Sequence, residues 1–335
     1  MGVPLVSVCI ANYNGINLID DCIRSVKNQL GNIPLEIIVH DDASKDQSAE
    51  YIRQHYPDVL LIASHKNIGY CQSNNTMAAA AQGEYLLLLN NDAALYPDAI
   101  QTLLSEARQL QTPAILGLPQ YDWETKSLLD IGSLLDPFLN SIPNFTAGEV
   151  GMVAGACLWI PKFSWDELNG FPECFGSIGE DLYLCCLARL RGYSVRAANA
   201  SGYRHRVGQS FGGGKISGQR LATTYRRRSL SESNKTLVMA VTYPIVGFLL
   251  AFPAHMALLL IEGTLLSILK QDRKLMLEIY LPAIGAVWRG RKWVWRLRRT
   301  VQSNRLISTM RFFSAFKPTM YKLSMLIRYG LPELR

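Results

Sequence analysis

The last third of this 335-residue chain is nearly devoid of acidic side chains: residues 215–335 hold five aspartates and glutamates against 21 lysines and arginines, a net of +16. Residues 1–214 show the reverse bias, with 22 acidic against 13 basic side chains, a net of −9. The formal total of +7 hides this division. A uniformly basic chain would suggest nucleic acid. An acidic front joined to a basic tail suggests an appendage for a membrane surface or a polyanion instead. With 49% hydrophobic and 18% charged residues, disordered, collagen-like and disulfide-stapled chains are excluded.

Other absences narrow the class further. The seven cysteines (Cys9, Cys22, Cys71, Cys157, Cys174, Cys185, Cys186) are odd in number and no two are spaced C-x-x-C. Several sit in apolar runs, where cysteine packs as a small hydrophobe, so free thiols in a reducing compartment are expected. Residues 1–4 lack a basic stretch and the first apolar run covers only residues 5–11, which is not a secretory signal. A cytoplasmic N-terminal part follows, in which the N-x-[ST] matches at Asn74, Asn144 and Asn199 carry no glycan. No G-x-G-x-x-G follows the first predicted strand, which disfavours a dinucleotide oxidoreductase. Gly212-Gly213-Gly214-Lys215 misses the phosphate-loop spacing, and Ile216 stands where Ser or Thr is required. It is expected to be a flexible loop of lid type.

What the first 120 residues do contain is alternation. Short apolar runs at 5–11, 35–40, 59–63 and 85–89 predict strands; residues 18–28, 46–55, 70–81 and 97–110 have helical spacing. Such alternation predicts an α/β fold with a mainly parallel central sheet. Ligands bind such sheets at the carboxyl ends of the strands, here residues 12–15, 41–44 and 90–92, all polar. Residues 111–154 have no strong period. A strand is expected at 155–161, a helix at 180–191 and a short strand at 193–197, before a polar, Gly-rich, basic stretch at 200–235.

Residues 238–261 contain no Asp, Glu, Lys or Arg, a run of 24 that is long enough to cross a hydrocarbon core. Pro244, Pro253 and His255 interrupt it, and basic residues flank both ends (Arg226, Arg227, Arg228 and Lys235; Lys270, Arg273 and Lys274). A simple span concentrates basic residues on one side, so a re-entrant or interfacial hairpin fits at least as well. Residues 288–299 mix three Trp with six basic residues, which suits an anionic lipid interface. The competing reading is a buried helical subdomain.

Three acidic groups and one histidine can carry chemistry. Asp41 and Asp42 end the second predicted strand, as turn caps or as acceptors for the imide N–H of a uracil or thymine. Asn90-Asn91-Asp92 follows four leucines, where an acidic oxygen can hold Mg²⁺ or Mn²⁺. Gly179-Glu180-Asp181 opens a helix, which favours acids for dipole reasons and also suits a general base. His205, between Arg204 and Arg206, is a candidate third metal ligand.

Taken together, these pieces resemble the family 2 glycosyltransferases of the GT-A fold. The matching text is Val6-Ser7-Val8 with Asn12-Tyr13-Asn14, Asp41-Asp42-Ala43-Ser44, Asn67-Ile68-Gly69-Tyr70 with Asn74-Asn75, and Gly83-Glu84-Tyr85-Leu86 through Asn90-Asn91-Asp92. It continues with Gly155-Ala156-Cys157, Gly170-Phe171-Pro172-Glu173, Glu180-Asp181 and His205. The ordered set covers about residues 5–210, and the rhamnosyltransferase-like bacterial branch is the one it looks most like.

The resemblance implies a GT-A catalytic domain at 1–214, while charge and the uncharged run mark 215–335 as a basic, apolar, helical membrane-association region. It implies that Tyr13, Asp42, Asn67 and Asn75 bind the nucleotide, that Asp92, His205 and Asn90 hold Mg²⁺ or Mn²⁺, that Asp181 is the catalytic base, and that Trp159 and Glu180 lie on the acceptor side. The implied reaction is inverting transfer from a UDP- or dTDP-sugar, dTDP-rhamnose among them, to a lipid-linked saccharide in bacterial surface polysaccharide synthesis. The implied location is the cytoplasmic face of the inner membrane, with no nucleic-acid partner. Asn90 departs from the family's D-x-D text, bringing an oxygen without charge and hence weaker metal binding. Pro172-Glu173 departs from the usual Asp-Glu, which leaves the acceptor-side loop less defined. A sugar nucleotidyltransferase and a non-catalytic membrane scaffold are the alternatives.

Overall fold

The computed structural model describes residues 2–208, 213–217 and 220–334. In chain order the elements begin with β1 (Val6–Asn12), α1 (Ile19–Lys27), β2 (Leu35–Asp41), α2 (Ser48–His55), β3 (Leu60–Ala63), α3 (Tyr70–Ala80), β4 (Tyr85–Asn90), β5 (Ala93–Leu95) and α4 (Ala99–Gln109). Next come β6 (Ala114–Gly117), β7 (Gln120–Asp122), β8 (Leu128–Asp130), β9 (Ser133–Leu135), β10 (Ser141–Pro143), β11 (Gly148–Glu149), β12 (Cys157–Pro161), α5 (Lys162–Leu168), α6 (Glu180–Leu190), β13 (Ser194–Ala197) and β14 (Tyr203–His205). The chain ends with β15 (Gly213–Ser217), β16 (Arg220–Thr223), α7 (Tyr225–Thr242), α8 (Ile245–Leu269), α9 (Leu281–Arg289), α10 (Arg291–Ser303), α11 (Thr309–Phe313), α12 (Tyr321–Tyr329) and β17 (Glu333–Leu334).

Two compact units result: residues 1–133, 143–188 and 193–206 form one, and residues 134–142, 189–192 and 207–335 the other. The first is built on an eight-stranded sheet of order β11-β13-β6-β12-β4-β1-β2-β3. Strands β3, β2, β1 and β4 run parallel, and β12 enters antiparallel beside β4. Val6, Val8, Cys9 and Ile10 of β1 and Leu86, Leu87, Leu88 and Leu89 of β4 are buried on both faces, which is why these segments read as near-continuous apolar runs. Helix α1 covers the sheet with Ile19, Cys22, Ile23 and Val26, at i, i+3, i+4 and i+7.

Register brings the polar strand ends together. Asn12 lies opposite Asp41, and Ala11 opposite Asn90, so β1, β2 and β4 finish on one level. A second, four-stranded sheet of order β5-β14-β7-β8 stands beside them. It uses the stretch at 111–154 where no periodicity was visible. Strands of three or four residues are too short to display a period of two.

The second unit is helical. Helix α7 stops at Thr242 because Pro244 cannot continue it, and its terminal carbonyls find donors on α10. Arg298 Nη1 donates to the carbonyls of Ala240 and Tyr243, both at 2.8 Å, and Gln302 Nε2 to those of Val241 and Thr242, at 3.2 and 3.0 Å. The uncharged run is therefore divided: its first residues end α7 and are buried, and the rest belong to α8. Pro253 does not break α8, which continues through it. The glycine-rich segment departs from the expected loop. Gly213–Ser217 is a strand antiparallel to β16, while Gly212 lies outside the described residues.

Candidate active site

The floor of the site is a buried polar network at the end of β1. The Asn12 amide donates to Asp41 Oδ2 and Ser48 Oγ, both at 2.9 Å, and accepts from Asn91 Nδ2 at 2.8 Å. Asp41 also accepts from the Ser44 backbone and hydroxyl, at 3.0 and 2.7 Å. Asp41 is thus the turn cap of the pair. The loops after β1 and β2 are laced by Asn14, whose N–H donates to Ser44 Oγ at 2.9 Å and whose Oδ1 accepts the Lys45 N–H at 2.7 Å. Tyr13 stands between them with 48% of its surface exposed, available for stacking.

Asp42 is buried, and its two carboxylate oxygens accept the N–H groups of Ile68 (2.6 Å) and Gly69 (2.9 Å). It therefore sets the entry into α3. Each oxygen keeps a further lone pair for a ligand donor. Asn67 joins it through an Nδ2 bond to the Asp42 carbonyl at 3.3 Å. Asn75 is differently placed. Its Nδ2 donates to the Phe171 carbonyl (2.9 Å) and its Oδ1 accepts the Phe171 N–H (3.0 Å), so its amide clamps the loop after α5. Gly170, at φ +55°, is required there, because a Cβ would lie 2.6 Å from Asn75 Oδ1.

Asp92 follows β4 and is buried. Strand β14 pairs with β5 so that His205 lies opposite Ala93, which carries the imidazole back to Asp92. His205 Nε2 is 3.1 Å from Asp92 Oδ1. Beside this contact two buried atoms have no hydrogen-bond partner: Asn90 Oδ1 and His205 Nδ1. Unsatisfied buried acceptors are costly, and hard oxygens with an imidazole suit a divalent cation. Among the described residues no three His, Cys, Asp or Glu side chains converge as a complete metal cage. Of the two that meet, Asp92 supplies one carboxylate, and Mg²⁺ sites with one or two carboxylates are completed by substrate phosphates.

Asp181 sits in the first turn of α6, and its Oδ2 accepts the Gly155 N–H at 3.0 Å. Tyr70 grips the same residue from α3, donating to the Gly155 carbonyl at 3.1 Å. Glu180, beside it, is buried. Trp159 is a correction to the expected acceptor side. It is fully buried in β12 and stacks on Tyr85 at 4.8 Å, so it is a core side chain with no surface for an acceptor.

Two features were not found from sequence. Asp130, on β8, is pushed up to about 6 by burial, with the Gly132 N–H and His205 pulling back. The Tyr203 hydroxyl is pushed up, chiefly by burial and then by the charges of Cys157, Asp130, Asp181 and Asp92, and it donates to Gln120 Oε1 at 2.6 Å. Trp123 is the second: Arg206 and Arg204 lie 3.5 and 4.7 Å from its ring, and Arg206 Nη2 donates to Asp21 at 2.8 Å. The only sequence signal was the Arg-His-Arg text, which reads as a surface run until β14 is paired.

Residues 7–162 match the model of glycosyl transferase family 2. Chondroitin synthase of Escherichia coli is 37% identical over 110 residues, covering 32% of this chain and 16% of that protein. Succinoglycan biosynthesis protein ExoO of Rhizobium meliloti is 32% identical over 107 residues, covering 31% and 30%. The matches thus span less than a third of the length of these curated relatives. A crystal structure of GalNAc-T7 with UDP, GalNAc and Mn²⁺ superposes with a TM-score of 0.64 at 14% identity, over 98% of this chain and 59% of that one, which is a likeness of fold. The segment 7–162, from β1 through β12 into the start of α5, thus belongs to glycosyltransferase family 2, and the fold around it is GT-A.

Proposed function

We propose that this protein is a metal-dependent, inverting glycosyltransferase that moves a sugar from a UDP- or dTDP-sugar to a lipid-linked saccharide at the cytoplasmic face of a bacterial inner membrane, for surface polysaccharide. The observation that carries it is the meeting of Asp92 and His205 at 3.1 Å, with the Asp181 carboxylate held by the Gly155 N–H at 3.0 Å. Residues 1–214 would do the chemistry and residues 215–335 would hold the membrane. The relatives named for chondroitin and succinoglycan support a polysaccharide product.

Tyr13 stacks on the base, and Asp42 accepts from it with the lone pairs left over from Ile68 and Gly69. Asp92, His205 and Asn90 would hold Mg²⁺ or Mn²⁺, which supplies positive charge where the leaving diphosphate gains negative charge. Asp181 takes the proton of the acceptor hydroxyl as its oxygen bonds to the anomeric carbon and the carbon–diphosphate bond breaks. One base on the face opposite the leaving group gives inversion. The hydrogen bond from Gly155 holds the Asp181 carboxylate in a fixed rotamer for that task.

The test is release of nucleoside diphosphate from a panel of UDP- and dTDP-sugars, with membrane lipid extract as acceptor, with and without Mn²⁺. Metal-dependent release with one donor is expected. No release from any donor, with donor binding intact, would point to the scaffold reading.

A further inference from the structure

Helix α8 is 25 residues long and strongly apolar, and little of it is buried. By length and composition it could cross a bilayer. Its surroundings in the helical unit indicate a different placement.

One face of α8 is buried and bonded. His255, Leu259, Gly263 and Leu266 are its buried residues, spaced along one side. His255 Nε2 pairs with Thr236 Oγ1 of α7 at 2.9 Å. Glu262 is bonded to Arg228 Nη2 of α7 at 2.6 Å and to Lys322 Nζ of α12 at 2.9 Å. Lys322 also reaches Glu232, which pairs with Lys235 at 2.8 Å. Gly263 lets the Tyr280 ring approach so closely that a Cβ would lie 2.7 Å from it. Because 228 meets 262 and 236 meets 255 about the turn at 243–244, α7 and α8 form an antiparallel hairpin with ion pairs along its seam.

The other face is unpartnered. Leu249, Leu250, Leu260, Ile261, Leu265 and Ile268 are 46–72% exposed and recur at helical spacing. Trp295 of α10 continues this face by an edge contact with Phe248 at 6.0 Å. Trp288 is 73% exposed with Arg291 above it at 5.2 Å, and Lys270, Arg273 and Lys274 follow the end of α8.

Crossing the membrane would carry the Arg228–Glu262–Lys322–Glu232–Lys235 cluster and the α7 backbone beside it to hydrocarbon depth, where ionised groups are expensive. Lying flat avoids that cost: the leucine and isoleucine stripe enters the acyl boundary, the ion pairs stay in protein, and the Trp and Arg rim meets the headgroups. We propose that α8 lies in the plane of one leaflet of an anionic bilayer as the immersed half of a monotopic platform, held flat by its ion-paired seam to α7 and α12. The inference deepens the membrane association proposed above and rests on it.

Two measurements on the full chain test it. In a Cys174→Ser background, Ile245→Cys and Arg273→Cys place one thiol at each end of α8. An impermeant maleimide is applied to inverted and to right-side-out membrane vesicles carrying each variant. Labelling of both positions only in inverted vesicles is expected; labelling from opposite sides overturns the flat placement and leaves membrane association standing. In flotation with phosphatidylcholine vesicles containing phosphatidylglycerol, Leu249→Glu with Leu260→Glu should lower the bound fraction at least tenfold at unchanged helical CD. Failure of the unaltered protein to float overturns membrane association itself, and undiminished flotation of the double variant overturns the assignment of this face.

Discussion

The Asp92 carboxylate and the His205 imidazole face each other at 3.1 Å, although one follows β4 and the other ends β14. The pairing of β5 with β14 makes this contact, and β7 supports it from the far side, with His205 opposite Asp122. Metal affinity should therefore depend on both side chains. Asp92→Ala and His205→Ala should each weaken Mn²⁺ binding, read by calorimetry in the presence of nucleoside diphosphate, by about tenfold or more, or ~1.4 kcal/mol. An unchanged titration in both variants would remove the assignment.

Asp181→Asn keeps an acceptor for the Gly155 N–H but cannot take a proton. Turnover should fall by ~10²–10⁴, the usual share of general-base catalysis, while donor affinity stays as it was. Full activity in this variant would reassign the base.

Asp42→Ala leaves the N–H groups of Ile68 and Gly69 without their acceptors. The expected loss of stability is about 1–3 kcal/mol, measured by urea unfolding, together with weaker nucleotide binding. Wild-type stability with weakened binding would mean the clamp contributes little and the carboxylate serves the ligand alone.

Asp130 gives a pH signature. Its folded value near 6 lies above the ordinary carboxylate value near 3.8, so the folded state holds the proton more tightly. Between about pH 4 and pH 6 the native protein binds more proton than the unfolded chain, and this group makes stability fall as pH rises. In metal-free protein, the melting temperature of Asp130→Asn minus that of the wild type should increase across that window and level off above it. A difference that does not vary with pH would contradict the assignment.

Gly263→Ala probes the close approach of α8 to Tyr280. Helix propensity alone favours alanine by about 1 kcal/mol. A net destabilisation, with the ring forced to move, is the expected outcome of the 2.7 Å contact.

The central strands and helices of the first unit were legible because their pattern is local: LVSVCIA and YLLLL are buried on both faces, and 18–28 repeats at 3.6 residues. The polar strand ends were legible for the same reason, since an apolar run that stops in Asn90-Asn91-Asp92 marks its own end. Free, mostly buried cysteines agree with the composition: six of the seven are buried, and Cys174 is exposed.

Sequence by itself determined the alternating elements, the opposite charge of the two parts and the identity of the candidate groups, because periodicity and composition act over a few residues. Tertiary structure decided which of those groups meet. Asn75 bonds Phe171 through its amide, Trp159 stacks in the core, and His205 meets Asp92. It also decided that α8 has two faces, since a run of apolar residues looks alike on every side until Arg228 and Lys322 bond Glu262 on one of them. Strand pairing and ion pairing act across long separations along the chain, and no local pattern encodes them.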